Sequence, residues 1–191
     1  MKRNRPATLI AVGALLASAA YGQTVNQRRE NQQDRIAQGI ASGQMTPGET
    51  ARVERQEAGV NGQIHQDRLA NGGTLTPAER QQINHEQNRM SGEIYRDKHN
   101  ANQTHFRGEV GARQTLQQQR IAQGVRSGSL TAGETARLER NQAGLNREVR
   151  SDRAQNGGTL TPQERGQVNR QQNRLSGQIY RNKHNAATQP K

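Results

Sequence analysis

One short pattern, a threonine followed three residues later by a glutamate, occurs four times where a long helical segment would begin. The threonine hydroxyl can accept a hydrogen bond from the backbone N–H three residues on, and the glutamate can reach back to the threonine N–H. Proline follows the threonine in three of the four, where its missing N–H costs nothing. The predicted helix N-caps are Thr46 with Glu49, Thr76 with Glu79, Thr131 with Glu134, and Thr161 with Glu164.

The chain is also an internal duplication. Residues 35–101 align with residues 120–186 at a constant offset of 85 without a gap, and 43 of the 67 aligned positions are identical. Each half holds two related units offset by 30, each a cap followed by a long helix. The Asn-Gly-Gly segments at 71–73 and 156–158 predict the turn between the two long helices of a half. We predict an all-α fold with two tandem homologous helical repeats, each a short helix plus a pair of long antiparallel helices.

The ends of the chain suggest how it is divided. A basic start, an apolar run of about 14 residues and small residues at its end are typical of a secretory signal peptide. This run is too short to span a bilayer, which needs roughly 20 apolar residues, and a buried core helix is the alternative. We predict a periplasmic or secreted protein. The predicted segments are a signal peptide at 1–22, the first repeat at 23–101, a linker at 102–111, the second repeat at 112–187 and a tail at 188–191.

Apolar residues recur at steps of seven and four, which places them on one face of each long helix. The four stripes are Val53, Val60, Ile64; Ile83, Met90, Ile94; Leu138, Leu145, Val149; and Val168, Leu175, Ile179. Gln87 and Gln172 interrupt them. Such a narrow seam suits antiparallel helix pairs or a partner's surface. About 14 per cent of the mature residues are Leu, Ile, Val or Phe, below the roughly 20 per cent at which high net charge predicts disorder, so a chain disordered without a partner is the alternative.

Charge and composition favour binding over catalysis. The net charge is +12 and cysteine is absent, so neither a disulfide nor a thiolate metal site can form. There is no glycine-rich phosphate loop and no serine in a strand-turn-helix setting, and we predict a non-enzymatic protein without cofactors. Nucleic acid is not an expected partner, because stacking aromatics are scarce and the chain is predicted to be exported. The expected partners are acidic or unfolded envelope proteins or anionic surface polymers, with no transmembrane segment in the mature chain and homo-oligomerisation left open.

Two histidines, His99 and His184, stand at equivalent places in repeated Lys-His-Asn segments. A cationic helix C-terminus explains them, since the helix dipole favours positive charge there. They are also the weak candidates for a metal site, with neighbours such as Asp97. His65 and His85 are arginine in the second half, and His105 falls in the predicted linker.

The helix, glycine turn, Leu-Thr-x-x-Glu and helix succession is similar to an EF-hand and can be compared ligand by ligand. With Gly73 at the invariant glycine, Glu79 takes the twelfth position, and the first, third and fifth positions fall on Arg68, Ala70 and Gly72. None of the twelve such positions in the four units is Asp or Glu. Calcium needs several carboxylates in this loop, so the motif is degenerate and the glutamates are interpreted as caps.

The segment Leu-Thr-Pro-x-Glu-Arg at the head of a helix resembles the Leu-Thr-x-x-Gln signature of the Spy/CpxP group of periplasmic stress proteins. The match covers Leu75, Thr76 and Leu160, Thr161, with Glu79 and Glu164 in place of the glutamine. The resemblance implies a helical, cradle-shaped dimer that shields unfolded clients without ATP. Three hypotheses follow: a chaperone-like interaction protein of the envelope, a metal-handling protein that uses the Lys-His-Asn segments, or a structural repeat protein.

Overall fold

A computed structural model describes residues 24–104 and 106–189, so the predicted signal peptide, His105 and the last two residues of the predicted tail lie outside the described residues. We call residues 24–104 the first half and residues 106–189 the second half. The described residues form six α-helices and no strand, which confirms the all-α prediction. The helices are α1 Val25–Ser42, α2 Pro47–Ala70, α3 Pro77–His99, α4 Gly108–Ser127, α5 Ala132–Gln155 and α6 Pro162–Lys183. Because α4 begins at Gly108, the last four residues of the predicted linker are helical.

The four predicted threonine-glutamate pairs form capping boxes at the starts of α2, α3, α5 and α6. At Thr76 the backbone N–H donates to Glu79 Oε2 at 2.8 Å, and the Glu79 N–H donates to Thr76 Oγ1 at 3.3 Å. Asn71 adds a bond from Nδ2 to each Glu79 oxygen at 2.9 Å, which ties the turn to the new helix. A fifth capping box, Thr24 with Gln27, starts α1.

Replacing both Thr76 and Thr161 by alanine is expected to lower the free energy of unfolding by about 1–4 kcal/mol, because each change removes an N-cap worth about 0.5–2 kcal/mol. Thermal melts followed by circular dichroism measure the change. The paired control, His99→Ala with His184→Ala, is expected to cost less, since a charge at a helix end contributes roughly 0.3–1 kcal/mol. A histidine variant that melts well below the threonine variant would contradict this assignment of the caps.

Side-chain hydrogen bonds define the direction of each helix against its neighbours. Arg52, near the start of α2, bonds Glu93 and Asp97 near the end of α3, so these two helices run antiparallel. By contrast, α1 runs parallel to α3, because Gln32 donates to the Gln87 carbonyl at 2.7 Å and Lys98 donates to Gln38 at 3.4 Å, both at a spacing of about 60 residues. The second half makes the corresponding α4–α6 bonds.

The apolar stripes predicted from the sequence are all buried. A central core cluster takes residues from both halves, including Ile36, Val53, Ile121, Leu138 and Ile179. Two smaller clusters lie towards the other ends of the helices, one within each half. The interpretation of the seam as a surface for a partner is therefore wrong for the described residues, because the helices of this chain cover it.

The two glutamines that interrupt the stripes are buried with them. Gln87 donates from Nε2 to the Val25 carbonyl at 2.9 Å, and Gln172 donates to the Val110 carbonyl at 2.8 Å. Gln87 therefore links α3 to the first turn of α1, and Gln172 links α6 to the first turn of α4. For the Nε2 group of each amide, the bond to the carbonyl replaces one lost to water, whereas each Oε1 is buried without a hydrogen-bond partner.

The halves meet mainly through α2 against α5 and α1 against α4. Equivalent short segments close the two ends of this contact. The Thr104 N–H donates to the Gly43 carbonyl at 2.9 Å, and the Gln189 N–H donates to the Gly128 carbonyl at 2.9 Å. Within the described part of the chain, none of the helices has the length and apolar character that crossing a membrane requires.

Candidate anion-binding surface

The net positive charge of the described residues comes from the second half. Ten Lys and Arg residues balance ten Asp and Glu residues over residues 24–104. Over residues 106–189 there are fourteen Lys and Arg against six Asp and Glu, a net charge of +8 with histidine neutral. Two halves of nearly the same helical plan thus present very different electrostatic potentials.

The difference arises equally from a net loss of four acidic residues and a net gain of four basic residues. At six positions an acidic residue of the first half corresponds to an uncharged polar residue at the offset of 85. The pairs are Glu30 and Thr115, Asp34 and Gln119, Glu57 and Gln142, Glu86 and Gln171, Glu93 and Gln178, and Asp97 and Asn182. Most of the replacements keep the size and hydrogen-bonding capacity of the side chain while removing its charge.

Arg52 and Arg137 occupy equivalent positions, and they show how the loss of acidic residues changes the surroundings of a single arginine. The Arg52 guanidinium lies 2.6 Å from Glu93 Oε1 and 2.9 Å from Asp97 Oδ2. In the second half the residues at those two acidic positions are Gln178 and Asn182. Arg137 is exposed, and it has no ion pair within the described residues. The same arginine is therefore neutralised internally in one half and left open to solvent in the other.

The remaining cations of the second half are similarly open. Eleven of its fourteen Lys and Arg side chains are exposed, and the other three are half-buried. Across residues 24–104 and 106–189, the only ion pairs within 4.0 Å are the two made by Arg52. A field of unpaired guanidinium groups attracts anions and can bind carboxylate or phosphate in a bidentate manner.

A groove between α4 and α6 adds an apolar contact to this surface. It encloses about 540 Å³ and is lined by Arg113, Arg120, several glutamines and Leu116. Leu116 is 60 % exposed, whereas the equivalent residue of the first half is Asn31. No acidic side chain lines the groove among the described residues.

The interior contains acidic side chains whose carboxyl groups are buried. Glu54 on α2 and Glu139 on α5 are fully buried where the halves meet, and each accepts one hydrogen bond, from Gln33 and Gln118 respectively. Burial raises the pKa of Glu139 to about 8. The pKa of Glu54 is also well above its usual range, first because of burial and then because of the nearby Glu57 and Glu139 charges.

Glu57 completes this buried set in the first half only. Burial raises the pKa of Glu57 to about 7, against the opposing effect of the Arg29 charge. In the second half the equivalent residues are Gln142 and Gln114, so an acid and a base are both replaced by neutral amides. These groups lie inside the molecule and are not exposed to a partner.

The weak metal candidates His99 and His184 lie far along α3 and α6, on exposed surface at the helix ends. Each ring stacks on the tyrosine one turn earlier, with centroids 4.2 and 4.3 Å apart, and donates from Nδ1 to that tyrosine's carbonyl at 2.7 Å. Asp97 is directed to Arg52 on α2. The described residues bring no three His, Cys, Asp or Glu side chains together as a metal site would require.

The sequence contained a signal for the charged surface that whole-chain composition conceals. Counting charges separately for the two aligned halves reveals the asymmetry without a structure. The buried glutamates had no such signal, because in the sequence Glu54 and Glu139 look like ordinary charged residues on amphipathic helices.

Comparisons of this chain with protein-family models, with curated proteins and with solved structures find no match.

Proposed function

We propose that this chain is an exported, non-enzymatic interaction protein that binds acidic partners of the cell envelope through the exposed arginines of its second half. The observation that carries the proposal is the charge imbalance between the halves, +8 against zero, in helices of the same plan. Charge of one sign on one part of a surface raises both the association rate and the selectivity for polyanions.

The two halves are best explained as tandem homologous repeats that have diverged in role. In the first repeat Arg52 is held in internal ion pairs, and ten acidic side chains balance the ten basic ones. The second repeat has exchanged acidic side chains for amides, which leaves its arginines free for a partner. This division accounts for the acid-to-amide pattern better than a purely structural array, which would have no need of an unbalanced charge.

The buried apolar seam decides which version of a chaperone-like role is compatible with the proposal. A client bound through exposed apolar surface would need a large uncovered patch, and the seam is covered by the chain's own helices. Recognition through charge is the version we propose, with acidic proteins or anionic surface polymers as the ligands.

A pair of charge-matched variants tests the proposal with poly-L-glutamate as the acidic probe. Gln178→Glu with Asn182→Asp gives Arg137 the two partners that Arg52 has, so this variant is expected to bind poly-L-glutamate about three- to tenfold more weakly at low salt. The control, Gln81→Glu with Gln82→Glu, adds the same two charges to exposed positions of α3 in the first half and is expected to have a smaller effect.

Isothermal titration calorimetry at two salt concentrations measures these affinities. Binding by the wild type is expected to weaken strongly at high salt, because exposed charges are screened. The reverse variant, Glu93→Gln with Asp97→Asn, frees Arg52 and is expected to tighten binding. Equal weakening by the two acidic variants would contradict a role for the second half. Absence of binding to poly-L-glutamate and to other polyanions at low salt would contradict the function itself.

A further inference from the structure

An open pocket of about 360 Å³ lies where the first turn of α2, the segment before α4, and α5 come together. Four arginines line it: Arg107, Arg147, Arg150 and Arg153. We call it the arginine pocket. Arg153 reaches across from α5 to the start of α4, since a Cβ placed on Gly108 would lie 3.9 Å from its Nη2. Three helices of both halves therefore contribute to one concave, strongly cationic site.

No acidic residue lines the arginine pocket among the described residues. None of its four guanidinium groups makes an ion pair or a side-chain hydrogen bond within the described chain. Three of the four arginines are exposed, and Arg153 is half-buried. Four like charges held around one cavity repel one another, so a bound anion would lower the electrostatic energy of the folded protein.

The polar groups of the pocket wall add to the same preference. Gln114 is buried at 3 % exposure and donates from Nε2 to Asn146 Oδ1, so the two side chains form a braced polar wall. Thr104 also lines the pocket, and its buried Oγ1 has no hydrogen-bond partner. The first turn of α2 forms a further part of the pocket wall.

The equivalent place in the other half is built differently. There Gln189 takes the position of Thr104, and its side chain accepts a hydrogen bond from the Ala132 N–H at 2.8 Å at the start of α5. Arg147 and Arg150 correspond to Gly62 and His65. The Gln189 side chain is thus bonded to the start of α5, whereas the corresponding start of α2 borders a pocket with additional arginines.

We propose that the arginine pocket binds a tetrahedral oxyanion, a phosphate or sulfate group carried by the acidic partner. This inference rests on the proposed function and names the group recognised there. A planar guanidinium matches two oxygens of such an anion in a bidentate arrangement, and several guanidiniums can surround a group with three terminal oxygens. A single carboxylate would balance only one of the four charges. The volume admits more than one phosphate, which suits a pyrophosphate or a sugar phosphate unit of a polymer.

Calorimetric titration of the full mature protein with pyrophosphate, inorganic phosphate, sulfate and acetate tests this proposal. Pyrophosphate is expected to bind most tightly and acetate least. Arg150→Gln with Arg153→Gln is expected to lose at least tenfold in pyrophosphate affinity. The control, Arg89→Gln with Arg96→Gln, removes two exposed arginines from α3 in the first half and is expected to change the affinity less than twofold. The phosphate and sulfate titrations identify which oxyanion is preferred, and circular dichroism checks that both variants are folded.

The outcomes separate this proposal from the broader function. Binding of poly-L-glutamate without measurable binding of any small oxyanion would overturn the pocket and leave the function standing. Binding of pyrophosphate that is lost in the pocket variant, without binding of poly-L-glutamate, would support the pocket and overturn recognition of acidic polypeptides. Equal pyrophosphate affinity in the pocket and control variants would show that the anion binds elsewhere and overturn the assignment.

Discussion

A variant with Glu54→Gln and Glu139→Gln is expected to be more stable than the wild type above pH 7 and to lose most of the pH dependence of its stability. Both carboxyl groups are fully buried on the two helices that join the halves. Glutamine keeps the shape of the side chain, and its carbonyl can accept the bonds that Gln33 and Gln118 now donate. Removing a buried charge while keeping its hydrogen bond is commonly neutral or stabilising.

The fall in stability with rising pH follows from the difference in bound protons between the folded and unfolded states. Burial raises the pKa of Glu139 from its ordinary 4.5 to about 8 in the folded state. Between these values the folded protein holds a proton that the unfolded chain has released, so stability falls as pH rises. The favourable contribution is complete at acid pH and is lost as pH passes through about 8. From pH 5 to pH 8 the loss for Glu139 alone is on the order of 3–4 kcal/mol.

Groups around the pair alter the size of this effect but not its sign. Glu57, on α2, adds a further carboxyl group with a pKa of about 7, and Arg29 on α1 opposes that rise. Urea denaturation followed by circular dichroism from pH 5 to pH 9 measures the stability curves. Glu86→Gln is the control, since that position is not fully buried and its counterpart is already Gln171. Parallel curves for the wild type and the double variant would contradict the interpretation.

Replacing Gly39 and Gly124 by alanine is expected to destabilise the protein, by about 1–3 kcal/mol at each position. Gly39 lies in the last turn of α1 and Gly124 in the last turn of α4. The residues that follow each helix fold back against the glycine. A Cβ at Gly39 would lie 2.6 Å from Met45 Cγ, and one at Gly124 would lie 2.6 Å from Leu130 Cδ1. Met45 and Leu130 are buried in the central core cluster, so neither can move away without opening it. Leu130 is the less adaptable side chain, and Gly124→Ala is expected to cost more.

Two other interior glycines provide a control of opposite sign. A Cβ at Gly59 in α2 or at Gly144 in α5 would meet nothing within 4 Å. Alanine is the better helix former by about 0.5–1 kcal/mol, so Gly59→Ala and Gly144→Ala are expected to raise the melting temperature. Thermal melts of the two pairs are sufficient. An increase for both pairs would show that helix propensity decides at every site and that the close packing on Gly39 and Gly124 is unimportant.

Helix starts were the most predictable part of the fold, because a cap is a local structure. Thr76 and Glu79 lie three residues apart, and all the groups of the capping box are within one turn. The apolar stripes were equally legible, since Val53 and Ile83 follow helical spacing. Their burial by the chain's own helices could not be predicted, because spacing alone does not show whether a helix of the same chain or another protein covers the stripe.

The packing of the helices against one another could not be predicted from the sequence, for a related reason. The parallel alignment of α1 with α3 depends on bonds such as Gln32 to the Gln87 carbonyl, across 55 residues, and no local pattern announces them. Gln87 interrupts its apolar stripe in the sequence, and in the structure it is a buried hydrogen-bond donor to the Val25 carbonyl. The arginine pocket joins residues of α2, α4 and α5, so only the tertiary fold shows that Arg107 and Arg150 share a cavity.

The central core cluster has a consequence for how this chain holds together as a unit. Its members come from both halves, so a half-length chain would expose Ile36 and Val53 together with the buried carboxyl group of Glu54. Such a fragment could cover this face only by meeting a second copy, and its folding would then depend on its concentration. Joining the halves through residues 102–107 makes that encounter intramolecular, at an effective concentration in the millimolar range typical of short linkers. The covalent connection, more than any single contact, allows so small an apolar core to suffice in dilute solution.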